Sequence, residues 1–149
     1  MKIPQKYIPK HLSKTDLRKQ KRNIVNTRKL YRKKIYRDRP RVKSFKSKKS
    51  NHVETAKKMY GVSSIVPSKT LAKKTKCSRK GLRQITKKGR GAYYSSGSRP
   101  NQTAQSWARA RLASTITGGP ASKVDMAILQ KECHPTSKAL KLAKKNITL

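Results

Sequence analysis

The acidic residues of this chain are too few and too scattered to build an active site of the common kinds. The five acids among 149 residues are Asp16, Asp38, Glu54, Asp125 and Glu132. No two of them form a convincing pair of carboxylates for general acid and base work. The serine-rich residues 95–98 lack the GxSxG nucleophile elbow, and the glycines around Arg90 match neither a phosphate loop nor a dinucleotide fingerprint. The sequence therefore predicts a protein that is not an enzyme.

Cysteine and histidine can bind metals, but their spacing here does not favour it. Cys133 and His134 are adjacent, so their side chains are expected to point in different directions. Cys77 and His52 would have to complete a zinc site, yet no CxxC or HxxxH pair supports one. We therefore predict no metal and no cofactor. Two free structural thiols are the expected state of the cysteines, with a single bridge between them as the alternative.

Positive charge is the dominant property of the sequence. Lys and Arg account for 41 residues, and the formal net charge is +36 at pH 7. Self-repulsion at this density opposes a compact state, so we expect a large negatively charged or densely packed partner to complete the fold. Nucleic acid, an acidic protein surface or an anionic membrane surface would each supply the opposite charge. We expect no small-molecule substrate.

The composition favours a small helical core. Hydrophobic residues make up 33% of the chain and aromatic residues 5%, which is low for a globular domain. No run of 18 apolar residues predicts a transmembrane helix, and no apolar segment near the N-terminus indicates a secretory signal. The predicted fold class is mainly α, with several short helices forming a small core and long extended basic arms that are ordered by assembly.

Residues 1–50 are predicted to form a basic extended arm with one amphipathic helix. Ser13 and Asp16 resemble the start of a capping box, and the apolar positions 17, 24, 31 and 35 form one narrow stripe. The helix is expected to span about 20 residues and to end near Pro40, before an extended basic linker. The arm residues expected to contact an anionic partner are Arg18, Lys21, Arg22, Arg28 and Arg32.

Residues 51–149 are predicted to form the small helical core. A Gly/Tyr/Ser-rich loop is expected at 89–102, where Gly89 should end a helix. The expected helix starts are Asn51, Ser68, Ser78, Thr103, Ser122 and Ser137.

The helices over residues 68–89 have helix–turn–helix spacing. Ala72 and Leu82 lie ten residues apart and can pack as small and apolar residues do in such a unit. In a DNA-reading unit, Arg79, Lys80 and Arg83 would line a nucleic-acid groove. Two short packed helices without that role are the favoured alternative, because a lysine stands at 76 where glycine would ease the turn.

The aromatic residues allow two interpretations. Tyr31, Tyr36, Tyr93, Tyr94 and Trp107 could stack on nucleobases. Aromatic residues in so small a core are more often packed inside, so we predict that Trp107 is a core anchor. The residues expected to anchor the core or a protein interface are Tyr93, Tyr94, Arg99 and Trp107.

Several segments carry a family resemblance. They are residues 7–10, 42–50, 64–69, 91–103 and 137–143, together with the helix from Trp107 to Gly119. The chain resembles an uncharacterised family of small, highly basic proteins from nucleocytoplasmic large DNA viruses, including those of algae. The similarity spans nearly the whole chain, and the tyrosine–serine–glycine block within 91–103 is its most specific part.

The resemblance implies a non-enzymatic virion protein made in the host cytoplasm or virus factory. It implies a minor capsid protein of the inner capsid layer that staples capsomers beneath the major capsid shell. Its partners would be the major capsid protein, other minor capsid proteins and the anionic inner-membrane surface. The alternative is a genome-binding or DNA-compacting protein that uses the helix–turn–helix-like unit at 68–89. A ribosomal-type RNA-binding protein has a similar composition, but the family resemblance expected of it is missing.

Overall fold

The fold is mainly α, as predicted, in a computed structural model that describes residues 2–46 and 51–148, without the side chains of 147 and 148. A short 3-10 helix, Gln5–Tyr7, comes first. The α-helices of the described residues are α1 (Lys14–Arg32), α2 (His52–Tyr60), α3 (Lys69–Thr75), α4 (Arg79–Ser95), α5 (Ala104–Ile116), α6 (Ala121–Val124), α7 (Met126–Glu132) and α8 (Lys138–Thr148). Residues 47–50 of the predicted linker lie outside the described residues.

The described chain divides into two compact units. Unit 1 contains residues 2–46 and Arg90–Trp107, and unit 2 contains residues 51–89 and 108–148. This division differs from the predicted arm over 1–50 and core over 51–149, because the segment 90–107 packs with the N-terminal part of the chain. Contacts between residues more than 50 positions apart, described below, hold that segment in unit 1.

Serine caps begin several helices where the sequence predicts them. The hydroxyl oxygens of Ser13, Ser68 and Ser78 each accept a backbone N–H three residues later, at 3.1, 3.1 and 2.9 Å. Such bonds satisfy donors that have no partner within the helix. Asn51 is an exception, because its side chain makes no capping bond to α2.

Helix α1 ends at Arg32, well before the predicted end near Pro40. Lys34 adopts a left-handed conformation with φ of 62°, and the N–H of Ile35 donates to the Leu30 carbonyl at 2.9 Å. This Schellman-type ending turns the chain out of the helix. The predicted apolar stripe is therefore interrupted, and Ile35 is 39% exposed.

Helix α4 continues through much of the stretch predicted to be a loop at 89–102. It was expected to end at Gly89, but it runs to Ser95, so the connection to α5 covers only residues 96–103. A Cβ added to Gly89 would lie 2.8 Å from the Cα of Ala108. Glycine here allows a neighbouring backbone to approach the helix closely, which offsets its low helix propensity.

Unit 1 is organised around the buried ring of Tyr93. The Arg39 guanidinium lies 3.7 Å from the centre of this ring and donates to the Tyr93 carbonyl at 2.8 Å. The Tyr93 hydroxyl accepts the backbone N–H of Arg39 at 2.7 Å and donates to the Gln102 carbonyl at 3.1 Å. The segment after α1, predicted to be an extended basic arm, is thus fixed to the body of unit 1.

Unit 2 has the small apolar core predicted for this part of the chain. Its fully buried members include Leu71, Leu82, Ile85, Leu112, Ile116, Leu129, Ala139 and Ala143. The Tyr60 hydroxyl donates to the carbonyl of Ile116, and burial raises the pKa of Tyr60. Tyr60 therefore remains a neutral hydrogen-bond donor inside the core.

A disulfide joins Cys77 and Cys133, so the expectation of two free thiols is wrong. Cys77 lies in the turn between α3 and α4, and Cys133 directly follows α7. The Ser78 N–H donates to the Glu132 carbonyl at 2.8 Å, and a second backbone bond of 2.8 Å lies on the other side of the pair. These bonds bring the sulfurs together, and neither sulfur is a free thiolate for the zinc site considered above.

Asp125 is the buried acid of unit 2, and its side chain has no solvent exposure. It accepts hydrogen bonds from Arg111 at 2.8 Å, from the Thr115 hydroxyl at 2.7 Å and from Lys88 at 3.1 Å. Burial alone would raise the pKa of Asp125, but these three donors outweigh it and hold the pKa below its ordinary value.

We expect Asp125→Asn to lower the free energy of unfolding by about 2 kcal/mol at neutral pH, the scale of a hydrogen bond to a charged group. Because the folded-state pKa is depressed, the carboxylate's contribution is complete above the unfolded-state pKa of about 3.9 and is lost as the pH falls through the folded value. Urea unfolding at neutral and acidic pH measures this. The wild type should lose more stability in acid than the variant does, and equal losses would contradict the assignment. Glu54→Gln is the control, since the Glu54 side chain is 56% exposed.

Candidate functional site

The acids of this chain are mostly occupied in holding the fold together. Asp16 accepts from the Ser44 N–H at 2.8 Å, and Asp38 accepts from the Ala104 N–H at the start of α5, also at 2.8 Å. Glu132 accepts from the Ser78 hydroxyl at 2.7 Å. Within the described residues, ion pairs to an acid involve Lys57, Lys88 and Arg111. Most of the Lys and Arg charge there has no neighbouring carboxylate.

The start of α4 presents a row of exposed cations. Helices α3 and α4 are joined by the three residues 76–78, which confirms the predicted helix–turn–helix spacing. Leu82 is fully buried and Ala72 packs against the same core. Within residues 79–89, the exposed cations on one side of α4 are Arg79, Lys80, Arg83 and Lys87.

Lys87 belongs to this row, although it is not among the predicted contact residues. Positions 79, 83 and 87 are spaced by four residues, which places them on one face of a helix. That spacing is the signal in the sequence that could have identified Lys87.

The turn before α4 has an unusual backbone. Lys76 adopts a left-handed conformation with φ of 57°, which glycine favours. Its N–H donates to the Ala72 carbonyl, and the Cys77 N–H donates to the same oxygen at 3.2 Å. The lysine that argued against a helix–turn–helix unit is thus accommodated, and its side chain is exposed.

Helix α1 presents a second basic face, in unit 1. Its opposite face packs inward through Gln20, Ile24 and Thr27. The exposed cations on the outer face include four of the predicted contact residues, Arg18, Lys21, Arg22 and Arg32, together with Lys29.

Arg28 was predicted to contact a partner, but it is only 7% exposed. Its guanidinium donates twice to the carbonyl of Ser96, at 2.6 and 2.9 Å, and once to the carbonyl of Lys2 at 3.3 Å. Arg28 is therefore a structural residue that fixes the chain just after α4. Its position was an available signal, because Arg28 lies four residues after Ile24 and three before Tyr31, on the same face of α1 as the predicted apolar stripe.

The four predicted anchor residues differ in their surroundings. Tyr93 is fully buried inside unit 1. Trp107 is partly buried, with its ring edge-on to the buried Tyr7 at a centroid distance of 5.9 Å, and its role as a core anchor stays a prediction. Tyr94 is partly buried and Arg99 is exposed. Arg99, Tyr94 and Trp107 are thus the members of this set that retain solvent exposure.

Two further properties bear on the kinds of site the chain can hold. Among residues 2–46 and 51–148, no group of three or more His, Cys, Asp and Glu side chains could hold a metal ion. No helix in the described part of the chain is both long and apolar enough to cross a membrane.

The fold and its exposed cations define a small, strongly basic helical protein built from two compact units. The chain belongs to a family of unknown function, DUF5824, whose model matches residues 4–145. No curated protein and no solved structure matches it. Its function is therefore inferred from its own residues.

Proposed function

We propose that this protein binds duplex DNA without catalysing a reaction, and that the start of α4 makes the central contact. The observation that carries the proposal is the exposed row of Arg79, Lys80, Arg83 and Lys87, which begins directly after a three-residue turn. The N-terminal residues of the second helix contact bases in a helix–turn–helix unit. Arg and Lys can bind both phosphates and the major-groove edge of guanine.

Charge supplies a large share of the binding free energy in this proposal. Each neutralised phosphate changes the slope of log K against log salt by roughly −0.9 on duplex DNA. The four cations on α4 would therefore contribute a slope of roughly −3 to −4. The outer face of α1 adds contacts that do not depend on sequence. Bound DNA also screens the self-repulsion of a chain with charge +36, so we expect DNA to raise the melting temperature.

Replacing Arg79, Lys80 and Arg83 together by Gln tests this assignment. We expect the salt slope of duplex binding to become shallower by about 3, because three phosphate or base contacts are lost. Any preference for one duplex sequence over another should also disappear. Fluorescence anisotropy with labelled duplexes over a range of salt concentrations measures both quantities.

The matched control removes the same charge from another exposed helix of unit 2. Lys138, Lys141 and Lys144 are exposed on α8, and their triple Gln variant should keep most of the slope and all of the sequence preference. Equal, small losses in both triple variants would mean that binding depends on net charge alone and would contradict a dedicated α4 contact.

The second candidate function is a minor capsid protein of a large DNA virus, the role implied by the family resemblance. Exposed apolar side chains favour it: in unit 2, Val124 is 63% exposed and Val66 is 37% exposed. A protein neighbour would cover such side chains, while Lys and Arg would pair with its acidic groups. On unit 1, Tyr94 and Arg99 would be accessible anchors for a contact of its own.

Crosslinking with mass spectrometry on purified particles separates the two functions. Abundant crosslinks from defined lysines to the major capsid protein would support the capsid role and make DNA affinity a consequence of charge. Crosslinks mainly to nucleic acid and core proteins would support DNA binding.

A further inference from the structure

Three tyrosines form an aromatic cluster on unit 1. The ring centroids of Tyr31 and Tyr94 are 5.9 Å apart with an interplanar angle of 15°, so these rings are stacked. The Tyr36 ring contacts both, at 5.7 Å from Tyr31 and 5.3 Å from Tyr94. Tyr94 also rests edge-on against the buried Tyr93 at 5.4 Å. The cluster is thus anchored to the interior of the unit.

One ring of this cluster projects into solvent from a fixed backbone. Tyr36 is 58% exposed. On its N-terminal side, the N–H of Ile35 donates to the Leu30 carbonyl at 2.9 Å, and on its C-terminal side, the N–H of Arg39 donates to the Tyr93 hydroxyl at 2.7 Å. A ring held in this way loses little conformational entropy when a ligand stacks on it.

The surroundings of the cluster are strongly basic. The exposed cations next to it in sequence are Arg32, Lys33, Lys34, Arg37 and Arg90. The nearby acid, Asp38, already accepts the Ala104 N–H at 2.8 Å. Cations therefore outnumber acids in the segments that carry the cluster.

A cleft of about 400 Å³ adjoins the cluster. It is lined by Tyr31, Arg28, Arg32, Ser95 and Ser96. The two serine hydroxyls can donate to or accept from the edge of a base, while Arg32 can bind a phosphate. The cleft thus combines an aromatic side chain, polar groups and cations within unit 1.

We propose that the Tyr31–Tyr36–Tyr94 cluster is a stacking site for unpaired nucleobases, so that unit 1 binds single-stranded nucleic acid. Aromatic rings within a basic surface are the usual means of holding single strands, because every base has a face for stacking. A protein interface fits less well, since it would have to cover the exposed Lys33 and Lys34, and lysine is depleted at such interfaces. A duplex cannot use the site, because its base faces are already stacked on one another.

Tyr36→Ala tests the proposal with little risk to folding, because this side chain is mostly exposed. The probes are a short labelled oligothymidine, the same backbone with abasic sites, and a duplex. We expect the variant to lose affinity for oligothymidine by on the order of 5- to 100-fold, the effect of removing one stacking contact. Affinity for the abasic strand and for the duplex should be unchanged, as should the salt slope, since no charge is removed.

Two further variants make the result specific. Tyr36→Phe keeps the aromatic face and should retain wild-type affinity for oligothymidine. Ile35→Ala changes the neighbouring apolar side chain, which is 39% exposed, and should have no effect. The proposal is overturned if Tyr36→Ala keeps full affinity for oligothymidine, or if its affinity for the abasic strand falls by the same factor. The stacking site and the proposed duplex contact are tested separately, because the duplex contact is tested by the Arg79, Lys80 and Arg83 variant.

Discussion

Replacing Cys77 and Cys133 by serine is expected to lower the free energy of unfolding of unit 2 by about 4 kcal/mol. The disulfide joins residues separated by 56 positions in sequence. Closing a loop of this length removes conformational entropy from the unfolded chain, and the loop-length relation gives roughly that value. Urea unfolding followed by circular dichroism measures the difference between the oxidised wild type and the double variant.

Reduction of the wild type provides an independent version of the same test. A thiol reductant should bring the wild type to the stability of the double serine variant and leave that variant unchanged. The helical signal before unfolding should be the same in all samples, because backbone bonds such as that from Ser78 to Glu132 hold the turn without the sulfurs. A wild type whose stability is indifferent to reductant would contradict a bridge between these cysteines.

Tyr93→Ala is expected to destabilise unit 1 by about 3–5 kcal/mol, the range for deleting a buried aromatic ring. The change removes a fully buried ring, its cation–π contact with Arg39 and the hydroxyl that bonds Arg39 and Gln102. Thermal unfolding monitored by tryptophan fluorescence is suitable, because Trp107 belongs to the same unit.

Two other variants show how much of the destabilisation comes from the ring of Tyr93 itself. Tyr93→Phe keeps the ring and should cost about 1–2 kcal/mol for the lost hydroxyl bonds. Trp107→Ala, followed by circular dichroism, should cost clearly less than Tyr93→Ala, because Trp107 is only partly buried. If Trp107→Ala were the more damaging change, the assignment of Tyr93 as the centre of unit 1 would be wrong.

Local signals in the sequence predicted much of the fold. Ser13, Ser68 and Ser78 cap helices as their positions indicate, and the helix–turn–helix spacing over 68–89 appears as two helices joined by three residues. Each of these features depends on hydrogen bonds or packing among residues close in sequence. Residue type and spacing are therefore enough to predict them.

Contacts between distant residues account for the features that were mispredicted. Gly89 looked like a helix end, but it allows Ala108 to approach α4 closely. Arg28 was expected to contact an anionic partner, but its guanidinium donates to the Ser96 carbonyl, 68 positions away. The disulfide likewise depends on α7 lying against the turn at Cys77. No local pattern encodes these partners.

The candidate sites were predictable to different degrees. The basic row on α4 followed from residue type and helical spacing, apart from Lys87. The contact between the rings of Tyr36 and Tyr94 did not, because the two residues lie 58 positions apart and meet only through the packing of unit 1. Because the core is small, every tyrosine was expected to pack inside. Tyr93 is fully buried as expected, but Tyr36 is 58% exposed.

The measurement that tests the central claim most directly is NMR titration of the full chain with a short DNA duplex at about physiological salt, where weak surface charge contacts are screened. We expect the largest backbone amide shifts at Arg79, Lys80, Arg83 and Lys87, with smaller shifts along the outer face of α1. Shifts spread evenly over all the basic segments, with no maximum at the start of α4, would contradict the proposal that this helix is the DNA-contacting element.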